Sequence, residues 1–123
     1  MEFKDLLAFK KGFQLAMKIY EASKSFPTEE KYSLIDQIRR SSRSTCANIG
    51  EGYRKRKYPA HFISKLSDAD MENTETQVWI EFSFSCGYIS ESIKTEWDRD
   101  SIEIGKLIGY MMANPEKFGS KSI

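Results

Sequence analysis

Apolar residues recur at three- and four-residue spacings along four separate stretches of the chain, with Pro27, Pro59 and Pro115 placed between or after them. The first stretch predicts a helix over about 5–24, with Leu6, Phe9, Phe13, Ala16, Met17 and Tyr20 on one stripe. Phe26-Pro27-Thr28 ends it, because the residue before a proline is driven out of the helical region. Thr28 is then the expected N-cap of a second helix over about 28–56, with Glu29 and Glu30 in its first turn. Leu34, Ile35, Ile38, Ser42, Thr45, Cys46, Ile49 and Tyr53 form its core stripe. Pro59 opens a third helix over about 59–86, where its missing N–H is no loss. Phe62, Leu66, Ala69, Asn73, Thr76, Ile80 and Phe84 face inward from it, and Gly87 closes it. A fourth helix over about 91–113 starts around Ser90 and buries Ile93, Trp97, Ile104, Leu107, Ile108 and Met111. Asn114-Pro115 stops it, and the last eight residues are expected to fray.

Only Val78–Phe84 passes for a strand, and its helical phase fits the flanking seam better. The pattern predicts an all-α fold, a single domain over 1–123 built as an antiparallel up-down four-helix bundle. The seams stay close to a 3.5-residue repeat, which suits slight supercoiling. Asn73 and Thr76 interrupt the third stripe with polar atoms. They read either as a register-fixing layer or as one side of a wet interface. Trp79 and Phe82 lie off their seam, and with Met111 and Met112 they exceed what one core needs, so an apolar subunit interface is expected.

Charge changes the picture more than composition does. The net charge of +1 covers two opposed regions. Residues 36–58 carry seven basic and two acidic side chains, whereas residues 68–103 carry ten acidic and two basic. At about 100° per residue, Arg39, Arg40, Arg43, Arg54 and Lys57 share one flank about 100° wide, beside the core stripe. Lys55 and Arg56 fall near the helix end, where cations complement the dipole. A disordered arm has no such phase. A phosphate loop fails too, since Gly50-Glu51-Gly52 lacks both the P-loop lysine spacing and a third dinucleotide-type glycine. Each helical glycine costs about 1 kcal/mol relative to alanine. Together with Ser41, Ser42, Ser44, Thr45 and Ala47, these glycines make the helix thin, so that a neighbouring helix or subunit can approach closely.

The same stretch, QIRRSSRSTCANIGEGYRKRK, resembles the signature of the four-helix-bundle family encoded by intervening sequences of bacterial 23S rRNA genes, Q-x-R-R-A-x-x-S-x-x-A-N-I-A-E-G. Gln37, Arg39, Arg40, Ser44, Ala47, Asn48, Ile49, Glu51 and Gly52 match it, and FPTEEKYSLIDQIRR and CGYIS extend the likeness over nearly the whole chain. Ala47, Asn48, Ile49, Glu51 and Gly52 form its structural signature. Cys46 stands where the family often has proline, and Gly50 where it often has alanine. The resemblance implies a four-helix protomer in a ring-like homo-oligomer, a pentamer. It also implies kinship with the accessory variability protein of diversity-generating retroelements, a basic ring that binds nucleic acid and a reverse transcriptase.

Functional chemistry is sparse. The basic flank supports electrostatic binding of RNA or DNA through Arg39, Arg40, Arg43, Arg54, Arg56 and Lys57, with salt-dependent and sequence-tolerant affinity. Tyr53 and Tyr58 interleave with these charges as stacking candidates. No groove-reading motif accompanies them. The competing reading is a structural or protein-interaction scaffold whose basic flank pairs with acidic helices, in the same protomer or in neighbouring subunits. A di-metal carboxylate site needs Glu-x-x-His pairs, and the chain has one histidine, His61, and a Glu72/Glu75 pair. Cys46 lies on the core seam as a small filler, and Cys86 faces the wrong end of a helix dipole for a thiolate. The expectation is a non-enzymatic, cofactor-free bacterial protein. The N-terminus lacks a signal-peptide core and no apolar run reaches bilayer length, so a cytoplasmic setting without a membrane partner is expected.

Overall fold

The computed structural model describes all residues 1–123. It is all-helical, with four long helices and no strands. They are α1 (Leu7–Ser23), α2 (Leu34–Arg54), α3 (Pro59–Ser85) and α4 (Glu91–Ala113), with 3-10 turns at Phe3–Asp5, Thr28–Glu30 and Pro115–Phe118.

The helices form a bundle, and paired residues show how they lie. Between α1 and α4, Lys11 pairs with Glu103 and Lys18 with Glu96 and Asp100. Between α2 and α3, Arg40 pairs with Glu75 and Lys65 with Glu51. Between α3 and α4, the Asn73 amide donates to the Ser101 carbonyl at 2.8 Å, while Lys94 reaches Glu81. Between α1 and α2, Gly12 faces Cys46. In the α1–α4, α2–α3 and α3–α4 sets the numbers fall along one helix as they rise along its neighbour. Exposed pairs of this kind add little stability each.

The core follows α2 most faithfully. All eight of its expected core positions are buried. Midway along the bundle the interior is small and polar, with Gly12, Ser42, Thr45, Cys46, Asn73, Thr76 and Ser101 at one level. Thr76 donates to the Ser41 hydroxyl at 2.8 Å, and Thr45 donates to the Ser41 carbonyl. Such a layer is costly unless its members find partners, and here most do.

Several expectations are corrected. On α1 the buried face is Ala8, Gly12, Leu15, Ala16, Ile19 and Ser23; Phe13 and Met17 point outward, at 52% and 43% exposure. Thr28 does not cap α2. It begins a 3-10 turn, and the helix proper starts at Leu34, four residues after Glu30. Glu30 holds this corner by accepting from the Ser33 and Tyr88 hydroxyls. Ser83 is buried in place of Phe84, and Ile93 is exposed. Gly87, at φ 79°, turns the chain in the left-handed region after α3, while Tyr88 N–H reaches back to the Ser83 carbonyl. The segment after α4 does not simply fray. Ser120 is buried and its hydroxyl donates to the Arg56 carbonyl at 2.9 Å.

One pH effect follows from α3. Burial, followed by the charge of Glu75, raises the Glu72 carboxyl above its ordinary range, and its Oε2 is buried without a partner. A raised carboxyl pKa means the ionised form is disfavoured in the folded state, so the penalty applies at neutral pH and is relieved as pH falls through the folded value. Glu72→Gln is therefore expected to stabilise the protein at pH 7 and to be neutral at pH 4, read by urea denaturation at both. Glu30 works in the opposite sense. The Ser33 and Tyr88 hydroxyls lower its pKa, so its contribution is present above about pH 4.5 and is lost on further acidification.

Candidate nucleic-acid interface

The six basic residues singled out from sequence separate into two groups. Arg39 turns inward. Its Nε donates to the Ser23 hydroxyl at 2.8 Å, its Nη2 reaches the Tyr20 carbonyl at 3.5 Å, and its guanidinium lies 4.8 Å from the Tyr20 ring centroid. It thus occupies the C-terminal end of α1, where carbonyls lack helical partners. Arg56 is also engaged within the protomer, with Nε donating to the Tyr53 carbonyl, Nη1 to the Phe118 carbonyl, and its plane 3.8 Å from the Tyr53 centroid. Arg40 shares Glu75 with the Trp79 indole N–H.

Arg43, Arg54 and Lys57 are different. All three are exposed and none has a carboxylate partner in the protomer. Arg43 lies 5.6 Å from the Tyr20 ring, and Lys55, likewise exposed, lies 5.8 Å from the Tyr58 ring. Arg43 and Arg54 sit about 16 Å apart along α2, given 1.5 Å of rise per residue. Arg54, Lys55 and Lys57 therefore gather at the end of α2, next to Tyr58 and the exposed His61, whose rings meet edge to face at 6.1 Å. Tyr53 is buried and does not serve as a stacking surface.

Between α1 and α2 lies an open groove of about 440 Å³, with Phe3, Phe9, Cys46, Ala47 and Gly50 as its apolar wall and Arg54 on its rim. Sequence periodicity does not find it, because the three- and four-residue spacing puts Phe9 on the core stripe. The two aromatic positions that could have signalled it are Phe9 and Phe13, whose rings stack at 6.1 Å. Burial pushes the Cys46 thiol up to about 11, so it is protonated at neutral pH. No three His, Cys, Asp or Glu side chains converge in a way that holds a metal ion. No helix is long and apolar enough to cross a membrane.

The signature residues take structural positions. Ile49 and Gly52 are buried; a side chain at Gly52 would meet Lys65 Cβ at 3.2 Å, which explains the close α2–α3 approach. Asn48 bonds the Ser44 carbonyl, Glu51 pairs with Lys65, and Ala47 is exposed. Gly50 is tight against the Phe3 ring, 3.2 Å from where a Cβ would stand.

A four-helix bundle carrying this signature on its second helix defines a class of small helical proteins. The chain belongs to the 23S rRNA-intervening sequence protein family, which matches residues 4–110. A solved structure from Bacteroides thetaiotaomicron VPI-5482, described as a protein of unknown function from the S23 ribosomal protein family, is similar to it. That protein is 32% identical, with a TM-score of 0.79 over 89% of this chain and 98% of its own. No curated protein matches the chain.

Proposed function

We propose that this protein is a non-enzymatic, oligomeric helical bundle that binds RNA or DNA electrostatically in the bacterial cytoplasm, through the exposed cations of α2. The protomer is an antiparallel up-down bundle, and it assembles as a ring-like homo-oligomer, a pentamer. Kinship with the accessory variability protein of diversity-generating retroelements belongs to the same proposal. The observation that carries the binding reading is the state of the flank. Of its six candidate cations, Arg40 alone is ion-paired within the protomer, and Arg43, Arg54 and Lys57 stand exposed without a carboxylate. A flank used up in internal pairing has no such residue. The supply of phosphate contacts without a groove-reading element favours sequence-tolerant binding.

The test is filter binding of a non-specific RNA and a non-specific duplex DNA at 50 and 200 mM salt. Three phosphate contacts on duplex DNA give a slope near −2.7, so affinity is expected to fall about 40-fold over that interval. The triple variant Arg43→Glu, Arg54→Glu, Lys57→Glu is expected to bind at least tenfold more weakly at 50 mM. Absence of binding at 50 mM, or a triple variant that binds like the parent, sinks the nucleic-acid reading. In that event the scaffold reading stands, which the exposed Phe13 and Met17 independently favour.

A further inference from the structure

In the groove between α1 and α2, aromatic surface and unpaired cations meet. Its floor is the small stretch Ala47 and Gly50, and the Cys46 thiol beside them is neutral. Phe3 and Phe9 wall it, meeting edge to face at 5.1 Å. Phe13 extends that wall, stacked on Phe9 at 6.1 Å and 52% exposed. At about 100° per residue, Arg43, Ala47, Gly50 and Arg54 fall within about 60° of one another on α2. The floor therefore runs from one free arginine to the other. Gly12 faces Cys46 and Arg43 lies over Tyr20, which sets Phe13 between the levels of Arg43 and Gly50. Glu51, the carboxylate on the rim, is paired with Lys65 at 3.1 Å, whereas Arg54 and Lys55 have no carboxylate. Two other grooves carry the opposite sign. The one around Leu34, Trp79 and Phe82, about 580 Å³ between α2 and α3, has Glu30 on its edge and no lysine or arginine in its lining. The one around Val78 and Ile102, between α3 and α4, is edged by Glu81 and Asp98, which share Lys94.

We infer that the α1–α2 groove is a stacking platform for unpaired bases, and that the nucleic acid this protein prefers is single-stranded, with phosphates at Arg43 and Arg54 and a base against Phe13 between them. Charge alone does not separate the two forms, since a strand and a duplex both offer phosphates. The aromatic wall does. A duplex keeps its base faces inside its own stack, so it meets the arginines and not the rings. A single strand exposes those faces, and every base has one, so a phenylalanine accepts any of them without regard to sequence. Covering Phe9 and Phe13 with a base also removes apolar surface from water, a gain that phosphate contact does not supply. A groove of about 440 Å³ lies within the size range of clefts that take small ring systems, about 300–1,000 Å³.

The inference rests on the nucleic-acid reading of the α2 cations and names the form of nucleic acid that reading leaves open. It gives Phe13, exposed beside a cationic floor, a use that Phe82, equally exposed beside an acidic edge, does not share.

Fluorescence anisotropy at about 50 mM salt tests it with three labelled probes. They are a mixed-sequence DNA strand of about 20 nucleotides, the same strand annealed to its complement, and a strand of equal length and charge that lacks bases. The first is expected to bind at least about fivefold more tightly than either of the others, the effect of one stacked base. Phe13→Ala is expected to abolish that margin while leaving duplex affinity and the salt slope unchanged, and Phe13→Trp to restore it. Ala47→Met, which fills the floor from the α2 side, is expected to act like Phe13→Ala; Phe82→Ala is expected to change nothing. Circular dichroism confirms folding, since Phe13, Ala47 and Phe82 are all exposed. No binding of any probe defeats the nucleic-acid reading itself. Four results overturn the platform and leave electrostatic binding standing. The first is a strand that binds no more tightly than the duplex or the base-free strand. The second is a Phe13→Ala variant that weakens all three probes alike, and the third is one that changes the mass of the protein in light scattering. The fourth is displacement of the strand by a phenylalanine-containing glutamate peptide as readily as by unlabelled strand, which assigns the groove to an acidic apolar segment.

Discussion

Trp97→Ala is expected to lower the stability of the protein by about 3–5 kcal/mol, the largest loss of any single substitution considered. Trp97 is 2% exposed and is the largest side chain in the closed core, on the inner face of α4 one turn before Ser101. Its removal deletes a large apolar surface and leaves a cavity, because the helices on either side are fixed by other contacts. Lys18 ties α1 to Glu96 and Asp100, the residues that flank Trp97 along the outer side of α4. At the neighbouring level the bundle is already narrow, so the surrounding backbone has little room to close further. For a chain of this length the loss corresponds to a fall in Tm of about 12–20 °C. Denaturant titration at fixed protein concentration measures it, since assembly makes apparent stability depend on concentration. A loss below about 1 kcal/mol would place the indole outside the core.

Why α2 was legible and α1 was not comes down to side-chain size. On α2 the apolar residues occupy one stripe and charged residues the next, so periodicity alone finds the buried face. On α1 two adjacent stripes are apolar, and hydrophobicity ranks the aromatic one higher. The interior at that level is walled by Ser42, Thr45, Cys46, Asn73 and Thr76, leaving little space. Gly12 and Ala16 fit there; Phe13 and Met17 do not, and they end on the surface. Volume, not polarity, decided the phase, and volume depends on the helices across the core. The same holds at the α2 start. Thr28 has the residue type of an N-cap, but the Glu30 bonds to Ser33 and Tyr88 hold the corner and delay the helix to Leu34. Tyr88 is remote in sequence, so no local pattern reports it. The basic flank was visible as a flank. Which of its members are free was not, because the acceptors of Arg39 and Arg56 lie at the ends of other segments, Ser23 and Tyr20 for one and Phe118 for the other.

Arg39→Glu turns that distinction into a measurable one. The substitution is expected to destabilise the fold by about 2–4 kcal/mol and, in protein that remains folded, to change nucleic-acid affinity less than Arg43→Glu does. A hydrogen bond from a charged donor contributes about 1.5–3 kcal/mol, and the Arg39 Nε bond to Ser23 at 2.8 Å is of that kind. The stacking of the guanidinium on Tyr20 adds about 0.5–1 kcal/mol. A carboxylate at the same place also opposes the negative C-terminal end of α1 by about 0.3–1 kcal/mol. Arg39→Lys is expected to recover the dipole contribution but not the fixed Nε geometry, and so to fall between the two. Pairing Arg39→Ala with Ser23→Ala in a double-mutant cycle isolates the hydrogen bond, with a coupling energy of 0.5 kcal/mol or more expected for groups in direct contact. Arg43 has no acceptor to lose, so Arg43→Glu is expected to shift stability by no more than about 0.5 kcal/mol while weakening polyanion binding. If both variants weaken binding equally and neither alters stability, Arg39 projects into solvent and the division of the flank into an anchoring and a binding set is wrong.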